Sequence, residues 1–350
     1  MSVLKFDLKD IVRPNVLAMS PYSSARDEYK SVDRDMVFID ANENPFNSGL
    51  NRYPDPQQRD LKAVIASQKG LSVSQVLLGN GSDEVLDLLF RAFCRPGVDN
   101  VITLPPTYGM YAVLAATNDI ETREVALTTS FMPAVDNILA AIDANTKLIF
   151  ICSPNNPTAN LMAEEAVITL AKNFKGILVI DEAYIDFADK NSWIDTLDTY
   201  PNIVITQTLS KAYGLAGIRL GMCFGSSDII AILNRIKPPY NVNSLTQQAA
   251  LARIEDTTSV AQEIETIKTE RANLLKILPQ LSFVEKVWES ETNFILARVD
   301  DASKRYKQLI EKGIVVRNRS NQLHCENTLR FTVGTARENK QLLDTLETLN

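Results

Sequence analysis

The sequence predicts an α/β protein: a mostly parallel sheet covered by helices on both faces, followed by a smaller α+β unit. Short, near-continuous Val/Ile/Leu runs alternate with amphipathic stretches through the middle of the chain. Strands buried on both faces read this way. After Leu245 the alternation gives way to a long helical stretch and then to a strand–helix–strand pattern. The length of 350 residues also exceeds the ~100–200 of one ordinary domain.

The elements follow in order. "QVLLGNG" reads as a strand entering a turn, and "SDEVLDLLFRAF" as the helix after it. "NVITL" is the next strand, with a helix through "YGMYAVLAAT". "KLIFICSPNNPT" is a strand and then a polar, proline-bearing loop. "EEAVITLAKNF" is helical, and "GILVIDEAY", "NIVITQTLSK" and "GIRLGMCFG" are strands. One long helical stretch then runs from "LTQQAALARI" through "VAQEIETIKTERANLLKIL". "TNFILARV", "SKRYKQLIEKG", "IVVRN" and "TLRFTVG" give strand, helix and strands, and "ARENKQLLDTLETL" closes the chain as a helix. The first ~45 residues are proline-bearing and irregular, and are expected to pack on the second unit. The expected division is 49–276 for the large domain, with 1–48 and 277–350 forming an N-terminal arm and a small domain.

Hydrophobic content of 45% and charged content of 23% are globular values. A net charge of −7 argues against nucleic acid as a partner. Cys94, Cys152, Cys223 and Cys325 are scattered without a CxxC pair, which suits reduced thiols in the cytoplasm. His324 is the only histidine, so a His-based triad or multi-histidine metal site is hard to build. "MSVLKFDLKD" has no signal-peptide core, and no apolar run reaches the ~20 residues that span a bilayer. A cytoplasmic protein with no membrane partner and no metal is expected.

Unusual polar residues gather at strand ends, where open α/β sheets bind ligands. Gly79, Gly81, Ser82 and Asp83 end one strand; Ser153, Asn155 and Asn156 a second; Asp181, Glu182 and Tyr184 a third; Thr208, Ser210 and Lys211 a fourth. Each has a plain structural reading. Ser82 or Asp83 caps a helix, Asp181 is a solvated strand-end carboxylate, Tyr184 packs, and Lys211 lies on the surface. "GNGSDE" also lacks the third glycine of a dinucleotide fingerprint, since Glu84 stands there. Yet Lys211 ends a strand that reads as buried, and a buried lysine is costly unless paired, neutralised or chemically used. Taken together, a phosphate-binding helix start, an amine, a carboxylate and a phenol meet the needs of pyridoxal phosphate.

At this level the chain resembles the fold-type I, class II pyridoxal-phosphate-dependent aminotransferases, and within them the histidinol-phosphate aminotransferase family. "MSPYSSAR", "DANENP", "NRYPDPQ", "GNGSDE", "RAFCRPG", "PPTYGMY", "SPNNPT", "DEAYIDF", "TLSKAYGLAGIRLG", "SETNFILAR" and "LRFTVGT" stand in the family's order. The resemblance implies a seven-stranded large-domain sheet, a homodimer with a shared active site, and pyridoxal 5'-phosphate as cofactor. It implies that Lys211 carries the cofactor aldehyde as a Schiff base and, once freed, moves the proton. It pairs Asp181 with the ring nitrogen and Tyr184 and Asn156 with the ring oxygen, and stacks Tyr108 on the ring. It gives the phosphate to Ser82, Asp83, Ser210, Arg219 and Thr208, with Tyr53 reaching the neighbouring subunit's phosphate. Arg330 takes the substrate's anionic group, and Arg317, Tyr22 and Asn42 stand on the substrate side. The implied reaction exchanges an amino group between L-histidinol phosphate and 2-oxoglutarate, giving imidazole acetol phosphate and L-glutamate, in histidine biosynthesis.

One departure stands out: the family's "NPTG" is here "NPTA", with Ala159. If that position takes positive φ, alanine carries a steric cost. Three other readings remain at this stage. An aromatic aminotransferase or threonine-phosphate decarboxylase of the same fold would keep Lys211 and Asp181. A regulator that has lost catalysis is opposed by the intact Lys211 and by the lack of an appended DNA-binding module. A nicotinamide dehydrogenase is opposed by the missing glycine.

Overall fold

The computed structural model describes residues 6–20 and 37–349. The large unit holds β1 (Val76–Asn80), β2 (Asn100–Thr103), β3 (Glu121–Glu124), β4 (Thr146–Cys152), β5 (Ile177–Asp181), β6 (Ile203–Thr208) and β7 (Leu220–Phe224). They form one seven-stranded sheet in the order β1-β7-β6-β5-β4-β2-β3. All pairs among β2, β3, β4, β5 and β6 are parallel, while β7 runs against both neighbours, β1 and β6. Every residue of β5 and β6 is buried, as continuous Val/Ile/Leu runs require when helices cover both faces.

Those helices are α1 (Pro14–Ala18), α2 (Arg59–Lys69), α3 (Ser82–Phe93), α4 (Met110–Thr117), α5 (Val135–Ala141), α6 (Glu164–Asn173), α7 (Ser227–Ile236) and α8 (Ser244–Glu255). α3 buries Val85, Leu86, Leu88, Leu89, Phe90, Ala92 and Phe93. They share one core with Val101, Phe150, Val179 and Val204 of the sheet. Leu61, Ile65, Val167 and Leu170 of α2 and α6 pack on the other face. None of the helices among the described residues is long and apolar enough to cross a membrane.

Helical crossovers put the carboxyl ends of parallel strands along one edge. Antiparallel β7 starts at that edge instead of ending there. Arg219, the residue before it, thereby joins the ends of β5 and β6. Two glycines let this corner close. A Cβ at Gly221 would lie 2.2 Å from the Ser82 amide nitrogen, and one at Gly81 (φ +79°) would lie 2.5 Å from Arg219 Nη2.

The smaller unit has β8 (Val284–Val287), β9 (Phe294–Val299), α10 (Ala302–Glu311), β10 (Arg317–Asn318), β11 (Thr328–Thr332) and α11 (Ala336–Glu347). Its strands pair antiparallel in the order β10-β11-β9-β8. The 21-residue α9 (Thr257–Ile277) leads into it and places Leu274 in its core beside Ile295, Leu309 and Phe331.

Three details differ from the sequence reading. The expected single helix across 245–278 breaks at Asp256, whose carboxylate accepts the Ser259 amide at 3.2 Å and caps α9. β3, "ETRE", pairs only with β2 at the sheet's edge, so it needs no apolar run and shows none. Finally, residues 6–20 lie on the large unit. Ile11, Val12 and Val16 join the core of α3 and α7, and the Arg13 amide donates to the Ala92 carbonyl at 3.0 Å. Their apolar positions find a ready hydrophobic face there.

Candidate active site

A cleft of about 480 Å³ opens at the strand-end edge. One wall is the start of α3. Ser82 and Asp83 are its first two residues, so their N–H groups have no intrahelical acceptor. Asp83 Oδ2 lies 3.6 Å from Arg219 Nη2, and Asp83 Oδ1 accepts the Tyr108 hydroxyl at 3.1 Å. Thr208, ending β6, donates to the Leu220 carbonyl at 3.1 Å and accepts the Ser210 amide at 3.1 Å. That contact curls the chain after β6 toward the start of α3.

Asp181 forms the cleft floor and is buried. Its Oδ2 accepts the Tyr111 hydroxyl at 2.7 Å and its Oδ1 the Ala183 amide at 3.2 Å. Burial raises its pKa, and the Tyr111 hydrogen bond opposes that rise. Tyr111 is itself fully buried, and its phenol pKa lies well above the ordinary value, so it stays a donor. Its ring stacks on Phe150 at 4.8 Å and meets Tyr108 edge-on at 5.6 Å.

The loop after β4 divides its labour between neighbouring amides. Asn155 Nδ2 donates to the Pro106 carbonyl at 2.9 Å and to Thr158 Oγ1 at 2.7 Å, tying two loops together. Asn156 faces the cleft. Its Nδ2 donates to the Tyr184 hydroxyl at 3.3 Å, and its Oδ1 accepts from Arg330 Nη1. Arg330 also stands 4.9 Å over the Phe294 ring. Burial, then Arg319 beside it, lowers the Arg330 pKa to about 10.

Lys211 lies on the turn past β6, with Nζ 5.7 Å from the Tyr184 ring centre. The side chain lines the cleft, on the turn after the strand and not at the strand's own end. The strand stops at Thr208, three residues earlier. Crowding by the cleft walls lowers its pKa, and Arg330 is the leading charge in the same direction, ahead of Arg219. Asp181 works against both. Arg330 reaches this neighbourhood from the small sheet, far along the chain from Lys211.

Ser82, Asp83, Tyr108, Asn156, Asp181, Tyr184, Thr208, Ser210, Lys211, Arg219, Arg317 and Arg330 all line this one cleft. Tyr53 and Asn42 do not. They line a second cavity of about 420 Å³ with Leu50, Asn243 and Leu245, and exposed Tyr53 stacks on Tyr240 at 4.6 Å. Neither Asn42 nor Tyr53 lines the first cleft, so the substrate-side place expected for Asn42 is not reached within one chain. Tyr22 lies outside the described residues. Two cleft residues escaped the sequence reading. Tyr111 falls one helical turn after Tyr108, a spacing that could have flagged it. Arg319 falls two residues after Arg317, on the same side of an extended strand.

Ala159 has φ 68° and is fully buried among Tyr184, Phe187 and Phe294. Alanine in this region carries a strain of ~1–2 kcal/mol. Its buried methyl returns ~0.8 kcal/mol, and glycine would add unfolded-state entropy of ~0.4–1 kcal/mol. Ala159→Gly is therefore expected to change stability by less than ~1 kcal/mol in urea unfolding. Ala159→Val, β-branched at positive φ in a packed core, should destabilise by more than ~2 kcal/mol.

With this geometry in view, the comparisons with known proteins are direct. The family model for "Aminotransferase class I and II" matches residues 36–346. A histidinol-phosphate aminotransferase of Flavobacterium johnsoniae is 61% identical over 346 residues, covering 99% of each chain. The solved histidinol-phosphate aminotransferase from Clostridium acetobutylicum superposes with a TM-score of 0.80 at 25% identity, covering 86% of this chain and 91% of that one. That of Sinorhizobium meliloti, solved with pyridoxal-5'-phosphate, has a TM-score of 0.77 at 24% identity and covers 85% and 84%, a likeness of fold. A family model over 36–346 and a near full-length relative at 61% identity settle the family: the chain belongs to the histidinol-phosphate aminotransferase family, within the class I and II aminotransferases.

Proposed function

We propose that this protein moves an amino group between histidinol phosphate and 2-oxoglutarate, using pyridoxal phosphate. One observation carries the reading: an amine, a buried carboxylate and an open helix start meet in a single cleft. The residues suit the cofactor. The free N–H groups of Ser82 and Asp83, the Ser210 hydroxyl and Arg219 suit a phosphate. Asp181, desolvated yet hydrogen-bonded by Tyr111, suits a cationic ring nitrogen. Asn156 and Tyr184 present an amide and a phenol to a ring oxygen, and the Tyr108 ring forms a side wall.

When bound, pyridoxal phosphate supplies an aldehyde that holds the amino group and a cationic ring that takes up electrons. Asp181 keeps the ring-nitrogen proton in place. Lys211 Nζ, with its lowered pKa, takes the proton from the substrate's α-carbon and later returns one. Arg330, pre-set by Asn156, binds the substrate's anionic end, with Arg317 beside it. The exposed Tyr53 and its neighbours are proposed to complete the cleft of a second copy, so the working form is a homodimer. We also assign it to the cytoplasm, to histidine biosynthesis, and to a large domain at 49–276 with the remainder as arm and small domain.

The test is direct. Purified protein given histidinol phosphate and 2-oxoglutarate should form glutamate in equal amount to the keto product formed from the donor. Carbon dioxide release from threonine phosphate, without transfer, would sink this reading in favour of a decarboxylase. Faster transfer from phenylalanine or tyrosine than from histidinol phosphate would point to an aromatic aminotransferase.

A further inference from the structure

The end of the cleft formed by the small sheet carries three arginines: Arg317, Arg319 and Arg330. Arg317 stands directly opposite Arg330 in the β10–β11 ladder, a like-charge placement that is unfavourable when nothing lies between. The Arg319 amide still bonds the Thr328 carbonyl at 2.9 Å, so the two-residue alternation carries it to the same side. The carboxylates lining the cleft, Asp83 and Asp181, are engaged elsewhere, by Arg219 and Tyr108 and by Tyr111. Arg330 is held by Asn156. Arg319 is half-buried with no side-chain partner among the described residues, and its Nε is buried without an acceptor. Burial and the charge of Arg317 lower its pKa, and Arg319 is in turn the leading charge acting on Arg330. A cluster of this kind lacks an anion.

The two amino donors of the proposed reaction differ at this end. Glutamate presents an α-carboxylate of one charge, which one arginine fork satisfies. Histidinol phosphate presents a phosphate monoester there, with a charge of about −1.5 to −2 and three acceptor oxygens. We propose that Arg319 is the specificity-determining residue that lets this site take a phosphate monoester where an amino acid puts its α-carboxylate. The proposal rests on the functional reading above. Arg330, with Arg317 beside it, serves both donors, and Arg319 adds a further guanidinium for the larger anion.

The experiment compares Arg319→Gln and Arg319→Lys with the parent enzyme, each loaded with cofactor, in the two half-reactions taken separately. For Arg319→Gln, kcat/KM for histidinol phosphate should fall about 10- to 100-fold more than kcat/KM for glutamate. Arg319→Lys, with a charge but no fork, should fall between. Equal losses for both donors, or no loss for either, overturn the proposal. Should the glutamine variant fail to fold, the lysine variant decides by the same ratio. Competition by inorganic phosphate against glutamate separates this proposal from the broader reading. If the parent enzyme cannot use histidinol phosphate, yet phosphate inhibition weakens at least tenfold in Arg319→Gln, the functional reading fails and the anion role of Arg319 stands. Phosphate inhibition that is equal in both proteins removes that role.

Discussion

Lys211→Ala is expected to lower amino transfer by at least ~10⁴-fold while leaving the fold intact, because it removes both the attachment point and the mobile base. The side chain is exposed to the cleft and no hydrophobic core depends on it, so thermal stability without cofactor should barely change. Borohydride treatment separates attachment from binding. The parent protein should keep a reduced, covalently held chromophore after denaturation, and the alanine variant should release it. A parent protein that shows no reducible visible band would end the reading altogether. Lys211→Arg sharpens the point. Arginine keeps the charge but cannot shed its proton in water, so it should fail nearly as badly as alanine. The lowered pKa of Lys211 carries the same message. Its cationic neighbours, Arg330 before Arg219, favour the neutral amine that can accept a proton.

Asp181→Asn should cost the next largest amount, about 10²–10⁴-fold in turnover. The estimate follows from the ~3–5 kcal/mol lost when one partner of a buried charge pair is removed. An amide at this position no longer holds a cationic ring nitrogen, although it fills the same volume. Tyr111→Phe provides a graded version. It deletes one hydroxyl that donates to Asp181 at 2.7 Å and leaves the stacked ring in place. That hydrogen bond favours the charged carboxylate, so its loss raises the Asp181 pKa further. The expected result is weaker cofactor retention on dialysis and a shifted pH dependence of the cofactor absorbance, with a smaller rate loss than Asp181→Asn. A Tyr111 that only packs would leave both the absorbance and its pH dependence unchanged.

Much of the fold was legible because burial on both faces writes itself into composition. β5 and β6 are unbroken apolar runs ending in polar residues, and the last positions of such strands in a parallel sheet must share an edge. Asp181 and the Thr208–Lys211 turn could therefore be placed together before any coordinates. β3 could not be seen, because an edge strand of Glu, Thr and Arg satisfies its backbone on one side only and buries little. The break at Asp256 was missed because the apolar spacing continues across it, and only the capping carboxylate marks the stop.

The layered α/β plan, the strand-end location of the chemistry and the identity of most cleft residues are legible in the chain. The first two follow from local apolar patterns and side-chain type; Tyr108, Arg219, Arg317 and Arg330 were placed by the family resemblance. The direction of β7, which carries Arg219 to the cleft, and the packing of residues 6–20 on α3 and α7 emerge only in the folded chain. The same holds for the hydrogen bond from Tyr111 to Asp181 and for the meeting of Arg317, Arg319 and Arg330 at one end of the cleft. These depend on contacts between residues far apart in the chain. In the cleft, Arg330 reaches Asn156 across 174 positions and Tyr111 reaches Asp181 across 70. No local pattern encodes such meetings: the first joins the small sheet to the loop after β4, and the second joins a helix to a strand end of the large sheet.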